Sequence, residues 1–446
     1  MPNTSITRTQ GSPTNAKKWT ISYWAKYTGL TTGQWYPTFA TDYDNGDSYF
    51  GVGSLGAGRN EIGFIEYHTS ATNYGQGGTL AALRDGHGWY HIVFAYDSTQ
   101  GTAANRGKTY LNGVQATNQY NTDIPSNHDS KFNTSGSVIR IGGRSAGSGQ
   151  YMSGILSHFH FIDGTAYDAT SFGEFNSTTG EWQIKTDPSV TYGNNGFFIL
   201  KDGAGLTDQS PNTNNFSSST GTLTPTVDNP SNSFATWNSL QATTSASYTF
   251  EAGNTRIAVN DVDMSCCATL AAKTGKYYME MRWGQQGGQD RWGIQPPNAS
   301  VNTHPRTNGV GWNQATNEFY MLGNAVSGSW GGSIGTNDTV QLAMDLDNGA
   351  LYLGVNGTWR NSGNPASGSS RTGGVDFSGT SLFGGFLTWA VGKGNNGTSG
   401  WNANFGNGYI EQTAVSSAGT NASGNGIFEY DVPTGYTALS TKGINS

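Results

Sequence analysis

The chain has 446 residues, enough for two or three domains that each bury a core of their own. Its 65 glycines, 12 % charged residues and 12 % aromatics exclude an aromatic-poor disordered polymer and point to short aromatic-rich strands joined by many turns. The net charge of −7, with Lys17–Lys18 the only adjacent lysine pair, excludes nucleic acid as a partner, and no apolar run approaches the roughly 18 residues of a membrane span.

The N-terminus "MPNTSITRTQGSPT" is polar and lacks the apolar core of a secretory signal, so synthesis in a cytoplasm is expected. Strand patterning begins at "KKWTISYWAKY", where Trp19, Ile21 and Tyr23 alternate with polar positions. It continues through "YPTFATDYDNGDSYFGVG" and "NEIGFIEYH" to "GWYHIVFAYD", with Tyr90, Ile92, Phe94 and Tyr96 in alternation. The more continuous apolar runs mark central strands. "KTYLNGVQ" predicts a hairpin, because a type I′ turn needs positive φ at both central residues and Asn-Gly meets that at least steric cost. "SVIRIGG" and "GILSHFHFIDGTAY" are further strands, the second with Leu156, His158 and His160 on one face and Phe159 and Phe161 on the other. After "NNGFFILKDGAG", residues 206–234 are dense in Ser, Thr, Asn and Pro and read as a loop or linker. The second half repeats the pattern in "GKYYMEMRWG", "RWGIQ", "GVGWNQ", "NEFYMLG", "TVQLAMDLDNGALYLGVNG" and "LFGGFLTWA". The neighbouring cysteines, Cys266 and Cys267, read as small apolar residues of a strand.

Several of these motifs carry resemblances. Residues 273–408, with "GKYYMEMRWG", "WGIQ", "GVGW", the 338–357 hairpin and "WNANFGNG", resemble a SPRY domain. Asp338, Asp345, Gly349, Leu351, Asn356 and Gly357 stand where that pattern has its conserved-type positions. "WTISYWAK", "GWYHIVFAYD", "KTYLNGVQ" and "GILSHFHFIDGTAY" resemble the strands of a laminin-G-like, concanavalin A-like jelly roll. There "FFILKDGAGLTDQSPNTNNFS" looks like the family's opening strand, and the expectation is that it closes the first sandwich in a permuted order. The combination, with "NTSITRT", "FIDGTAY", "SVTYGNNGFF", "FATWN" and "VPTGYTALST", resembles marine bacteriophage virion proteins over nearly the whole chain.

Four constellations bear on chemistry. Glu61 and Glu66 in "EIGFIE" resemble a laminarinase-type carboxylate strand, but the assisting Asp is replaced by Gly63. Residues five apart on a regular strand also face opposite ways, so no catalytic pair and no enzyme is expected. Asp42, Asp44 and Asp47 in "TDYDNGDS" supply clustered hard oxygen ligands, a calcium candidate that competes with a plain turn. His158 and His160 sit at zinc-like spacing with no further Cys or His nearby in sequence, and read as a satisfied pair. Trp312 and Trp330 lie beside loop signals with Asn, Gln and Gly, and are candidates for stacking on sugars or anchoring an interface; Trp24, Trp89 and Trp283 read as core.

The sequence thus predicts an all-β chain of two antiparallel β-sandwiches. Residues 1–235 form the concanavalin A-like jelly roll, with 205–235 its loop or linker-like end, and 236–446 form the SPRY-like sandwich with a C-terminal tail. The resemblance implies a non-enzymatic virion surface protein in multiple copies, made in the host cytoplasm, whose partners are other virion proteins and a host surface glycan. Fibres carry shaft repeats; heptads, collagen triplets and solenoid periods are absent from the sequence. Capsid decoration is therefore the expected role, and a tail or head fibre tip recognising a host glycan or protein is the alternative. No cofactor is expected beyond the calcium candidate.

Overall fold

The computed structural model describes residues 4–445 apart from 31–32, 44–45, 54–59, 70–71, 145–148, 202–204, 242–246, 261–263, 286–288 and 395–396. The chain divides into two compact units, Met1–Leu223 and Thr224–Ser446. Both are antiparallel β-sandwiches, as the sequence predicts. The α-helices among the described residues are the four-residue turns Pro305–Asn308 and Thr441–Ile444, and none is long and apolar enough to cross a membrane.

The first unit packs an eight-stranded sheet on a six-stranded one. The larger runs, edge to edge, Asn118–Thr122, Thr72–Ala82, Glu61–Thr69, Gly46–Gly53, Tyr36–Tyr43, Val138–Ile141, Ser5–Thr9 and Ser217–Thr220. The smaller runs Phe197–Ile199, Gly154–Asp163, Lys18–Tyr27, Tyr90–Asp97, Gly107–Leu111 and Val114–Gln115. Alternation delivers Trp19, Ile21, Tyr23, Ile92, Phe94 and Tyr96 to the space between the sheets. There Trp19 stacks on Tyr96 at 5.2 Å and Tyr23 on Phe159 at 5.2 Å, geometry that adds to the gain from area burial.

One predicted face is corrected. Between Ser157 and His160 the strand gains one residue against its partner, and His158 takes φ 49°. This bulge resets the alternation: His160 points outward to Tyr192, while Leu156 packs with the Phe159 and Phe161 core.

Residues 206–223, read from composition as a linker, are built into the first unit. The Asp208 carboxylate accepts the backbone N–H groups of Phe198, Ser210 and Asn214 at 2.8, 2.8 and 2.7 Å. Phe216 meets Phe197 edge-on at 4.7 Å, and Ser217–Thr220 pairs with Ser5–Thr9. Phe197–Ile199 therefore closes one edge of the six-stranded sheet, and Ser217–Thr220 one edge of the eight-stranded sheet. Residues 224–235 pack with the second unit instead, where Phe234 and Ala235 are buried and the Ala235 N–H donates to Leu439 at 3.0 Å.

In the second unit one layer runs Ser247–Glu251, Arg256–Asn260, Thr398–Asn404, Lys276–Gln285, Thr339–Asp345, Ala350–Val355 and Thr358–Trp359, with Val375–Asp376 and Thr437–Ala438 as added short strands. The facing layer runs Met264–Cys267, Thr388–Lys393, Asp290–Gln295, Val310–Asn313, Glu318–Met321 and Asn324–Val326. Strands whose motifs resemble the SPRY pattern thus stand in both layers, beside Ser247–Glu251, Arg256–Asn260 and Met264–Cys267 from before residue 273. The stretch read as a C-terminal tail is integral: Phe428, Val432, Tyr436 and Ala438 cover Tyr278 and Tyr352 on the outer face of the larger layer.

Candidate functional site

Each sheet of the first unit has an outer face, and the two differ. The six-stranded sheet is covered by its own chain. Trp24, Val93 and Ile162 are roofed by Ala169, Phe172 and Trp182 from the segment after Asp163. Trp182 fits because positions 113 and 173 are glycine: a Cβ there would stand 2.3 and 2.5 Å from its ring. Its indole N–H donates to His91 at 3.0 Å, and Ser22 bonds the other ring nitrogen at 2.9 Å. Burial pushes the His91 imidazole down to about 3, so the ring is neutral and can accept the indole proton.

The eight-stranded sheet keeps aromatic side chains on its outer face. On the Gly46–Gly53 strand Phe50 and Val52 enter the core, so Tyr49, Gly51 and Gly53 alternate to the outside. On the next strand Ile62 and Phe64 enter the core and Ile65 faces out. Tyr49 pairs across with Ala40 on one side and Ile65 on the other. Trp35 lies where a Cβ on Gly53 would sit, 2.4 Å from that position. The result is a strip: Trp35 meets Tyr49 edge-on at 5.1 Å and 77°, Tyr67 follows at 6.3 Å, and the Arg144 guanidinium lies 4.5 Å over the Tyr49 ring. Tyr49 is buried as the floor, while Trp35, Tyr67 and Arg144 are half-buried. Arg144 also donates to the Gln150 side chain at 3.2 Å, and Arg140, farther along the face, donates to Ser5 at 3.1 Å and to Asp42 at 3.5 Å. Aromatic faces bordered by planar hydrogen-bond donors suit a ligand with alternating C–H and hydroxyl surfaces.

The residues singled out in the sequence fall elsewhere. Trp312 and Trp330 are corrected: both are buried, at 0 % and 3 % exposure. Trp312 lies opposite Trp292 on the neighbouring strand and so points inward. It meets Phe319 at 5.5 Å, and Phe319 meets Trp330 at 4.9 Å, both edge-on. Their indole N–H groups donate to Gln314 and to the Val326 carbonyl, each at 3.0 Å, so both rings are satisfied within the core and neither is presented to a ligand. Trp24 and Trp283 are buried and Trp89 half-buried.

Of the calcium candidates, Asp42 gives a carboxylate oxygen to Arg140 at 3.5 Å. Asp44 and the side chain of Asp47 lie outside the described residues. Among the described residues no three His, Cys, Asp or Glu side chains gather to hold a metal.

Glu66 shares its face with Ile62 and Phe64 and is closed off by donors: His128 at 3.1 Å, Ser130 at 3.2 Å and the Lys131 N–H at 2.6 Å. Glu61 shares the opposite face with Ile65, so the strand separates the two carboxylates as its period requires. Burial raises the Cys267 thiol to about 11 and also raises Cys266, so both stay protonated.

Of Trp35, Tyr49, Tyr67 and Arg144, only Tyr49 had a sequence signal: "YFGV" and the neighbouring "IGFI" are short runs without a polar residue, the mark of strands covered on both faces.

Residues 3–170 match the family model of the concanavalin A-like lectin/glucanases superfamily. No curated protein matches the chain. Among solved structures, a native heptameric SAP-like pentraxin from Limulus polyphemus is similar at 17 % identity and TM-score 0.30, over 50 % of this chain and 91 % of that one. The SPRY domain of human HERC1 is similar at 10 % and 0.28, over 37 % and 96 %. Domain 4 of AbnA, an extracellular arabinanase from Geobacillus stearothermophilus in complex with arabinotriose, is similar at 19 % and 0.24, over 34 % and 63 %. The two-sandwich architecture rests on the strand pairings themselves. Residues 3–170 are thus similar to the concanavalin A-like family over that stretch, and the two sheets they build are completed by strands beyond the matched region at Phe197–Ile199 and Ser217–Thr220.

Proposed function

We propose that the chain is a non-enzymatic surface protein of a phage particle, a capsid decoration protein docking on other virion subunits, whose first unit binds a glycan on the outer face of its eight-stranded sheet. The observation that carries the glycan reading is the Trp35–Tyr49–Tyr67 strip with Arg144 stacked on it. A lectin-type domain over residues 3–170 supports it. The virion reading is supported by the sequence resemblance that runs from Asn3 to Thr441.

The test of the first part is a glycan array probed with the full chain, followed by Trp35→Ala and Arg144→Ala. Each variant should weaken the best hit by about tenfold, or roughly 1.4 kcal/mol, at an unchanged thermal midpoint. Binding that survives both substitutions, or no hit at all, would sink the glycan reading. For the second part, gold-labelled antibody should decorate the heads of intact particles. Label confined to the tail would replace decoration with a fibre-tip role, and unlabelled particles would remove the virion role.

A further inference from the structure

The second unit buries an ion pair that the proposed function does not use. Asp290 and Lys393 are direct cross-strand partners on Asp290–Gln295 and Thr388–Lys393, and both side chains are 0 % exposed with Nζ 3.7 Å from Oδ1. They share a face with Trp292, Trp389 and Val391, the face that meets the opposite sheet. From that opposite sheet comes Ser399, on Thr398–Asn404. Its hydroxyl accepts from Lys393 Nζ at 3.0 Å and donates to Asp290 Oδ1 in a short hydrogen bond.

A fully buried amine, a carboxyl group held against it and a hydroxyl touching both make up the reactants of an amide condensation with a proton relay already in place. We infer that Lys393 and Asp290 form an intramolecular isopeptide bond in the folded protein.

The chemistry follows from burial. A dry interior penalises two separated charges far more than a neutral amine and a neutral acid, and burial together with the nearby Arg291 charge lowers the Lys393 ammonium, opposed by Asp290. A proton passing from Nζ to the carboxylate through Ser399 leaves –NH2 and –COOH. The nitrogen lone pair then attacks Cγ. As the tetrahedral centre collapses, the carboxyl hydroxyl departs with a proton drawn from nitrogen through Ser399. One C–N bond forms, one C–O bond breaks, one water leaves, and nothing is oxidised or reduced. Holding the two groups in contact supplies the entropy that a bimolecular amide condensation lacks.

The experiment is mass spectrometry of the purified full-length chain under denaturing conditions, followed by proteolysis. The intact mass is expected one water below that of the sequence, and a branched peptide should join the segments carrying Asp290 and Lys393. Lys393→Arg and Asp290→Ala should each return the full sequence mass. Ser399→Ala should leave part of the purified chain at the full sequence mass. A wild-type chain at full mass, with both residues in linear peptides, would overturn the assignment and leave an ordinary buried ion pair. A water lost instead to succinimide at an Asp-Gly step such as Asp85–Gly86 would appear in a linear peptide and would overturn it equally.

Discussion

Glu280 illustrates how one side chain can hold a segment that composition alone would leave as a tail. It is fully buried in the centre of Lys276–Gln285, where its carboxylate accepts the N–H groups of Glu429 and Tyr430 at 2.8 Å each and the Tyr278 hydroxyl at 3.0 Å. Burial pushes the carboxyl from 4.5 up to about 7, although those three donors favour the charged form. The native state therefore holds this proton more tightly than the unfolded state does. Its contribution is fully present below about 4.5 and is lost as pH rises through about 7, a change on the order of 3 kcal/mol. Urea midpoints across that range should fall for the wild type relative to Glu280→Gln, and parallel curves would refute the argument. At this scale the sequence misled on the tryptophans. Gly, Asn and Gln around Trp312 and Trp330 mimic a surface loop, while the direction of each ring is decided by strand register and by what folds over it.

Among the elements, turn chemistry was the most legible. Asn112–Gly113 and Asn356–Gly357 both adopt positive φ, at 47° and 81° and at 50° and 81°, and each closes a hairpin as a type I′ turn should. Asn348–Gly349 looks the same in sequence but ends a four-residue connection in which only Gly349 has positive φ, with the Asn348 side chain bonded to Asp345 at 2.9 Å. Gly113 serves two purposes, since its Cβ position is filled by Trp182. Gly113→Ala should therefore cost more than the roughly 1–2 kcal/mol of a left-handed non-glycine residue, because the Trp182 hairpin must also lift. Gly357→Ala meets Tyr430 at 2.9 Å and provides the comparison. Equal urea-midpoint losses in the two would refute the glycine-slot role. The bulge at His158 had no sequence signal: one inserted residue leaves composition and average alternation unchanged, and only pairing with Lys18–Tyr27 reveals it.

For the whole molecule, the division at Leu223/Thr224 leads to a test of where each core ends. Residues 1–223 and 224–446, made separately, should each fold, since each has its own buried cluster. A second piece beginning at residue 236 lacks the buried Phe234 and Ala235 and should be less stable by about 3 kcal/mol or more, the usual cost of removing a buried Phe. Equal urea midpoints for the 224–446 and 236–446 pieces would count against that packing. The polar stretch 206–234 was opaque because Ser, Thr, Asn and Asp serve equally well in free linkers and in side-chain-to-backbone networks. Here Asp208 builds the network, which no residue count reveals.

By itself the sequence determined the all-β class, the pair of sandwiches, most strand positions and the Asn-Gly hairpins, because all of these depend on local period and local φ preference. Tertiary structure alone decided which faces are roofed and which keep half-buried aromatics on the outside. It buried Trp312 and Trp330, assembled Trp35, Tyr49, Tyr67 and Arg144 from separate segments, and placed Lys393 against Asp290. Those outcomes depend on sheet order, register and bulges, which are set by contacts between residues far apart in the chain.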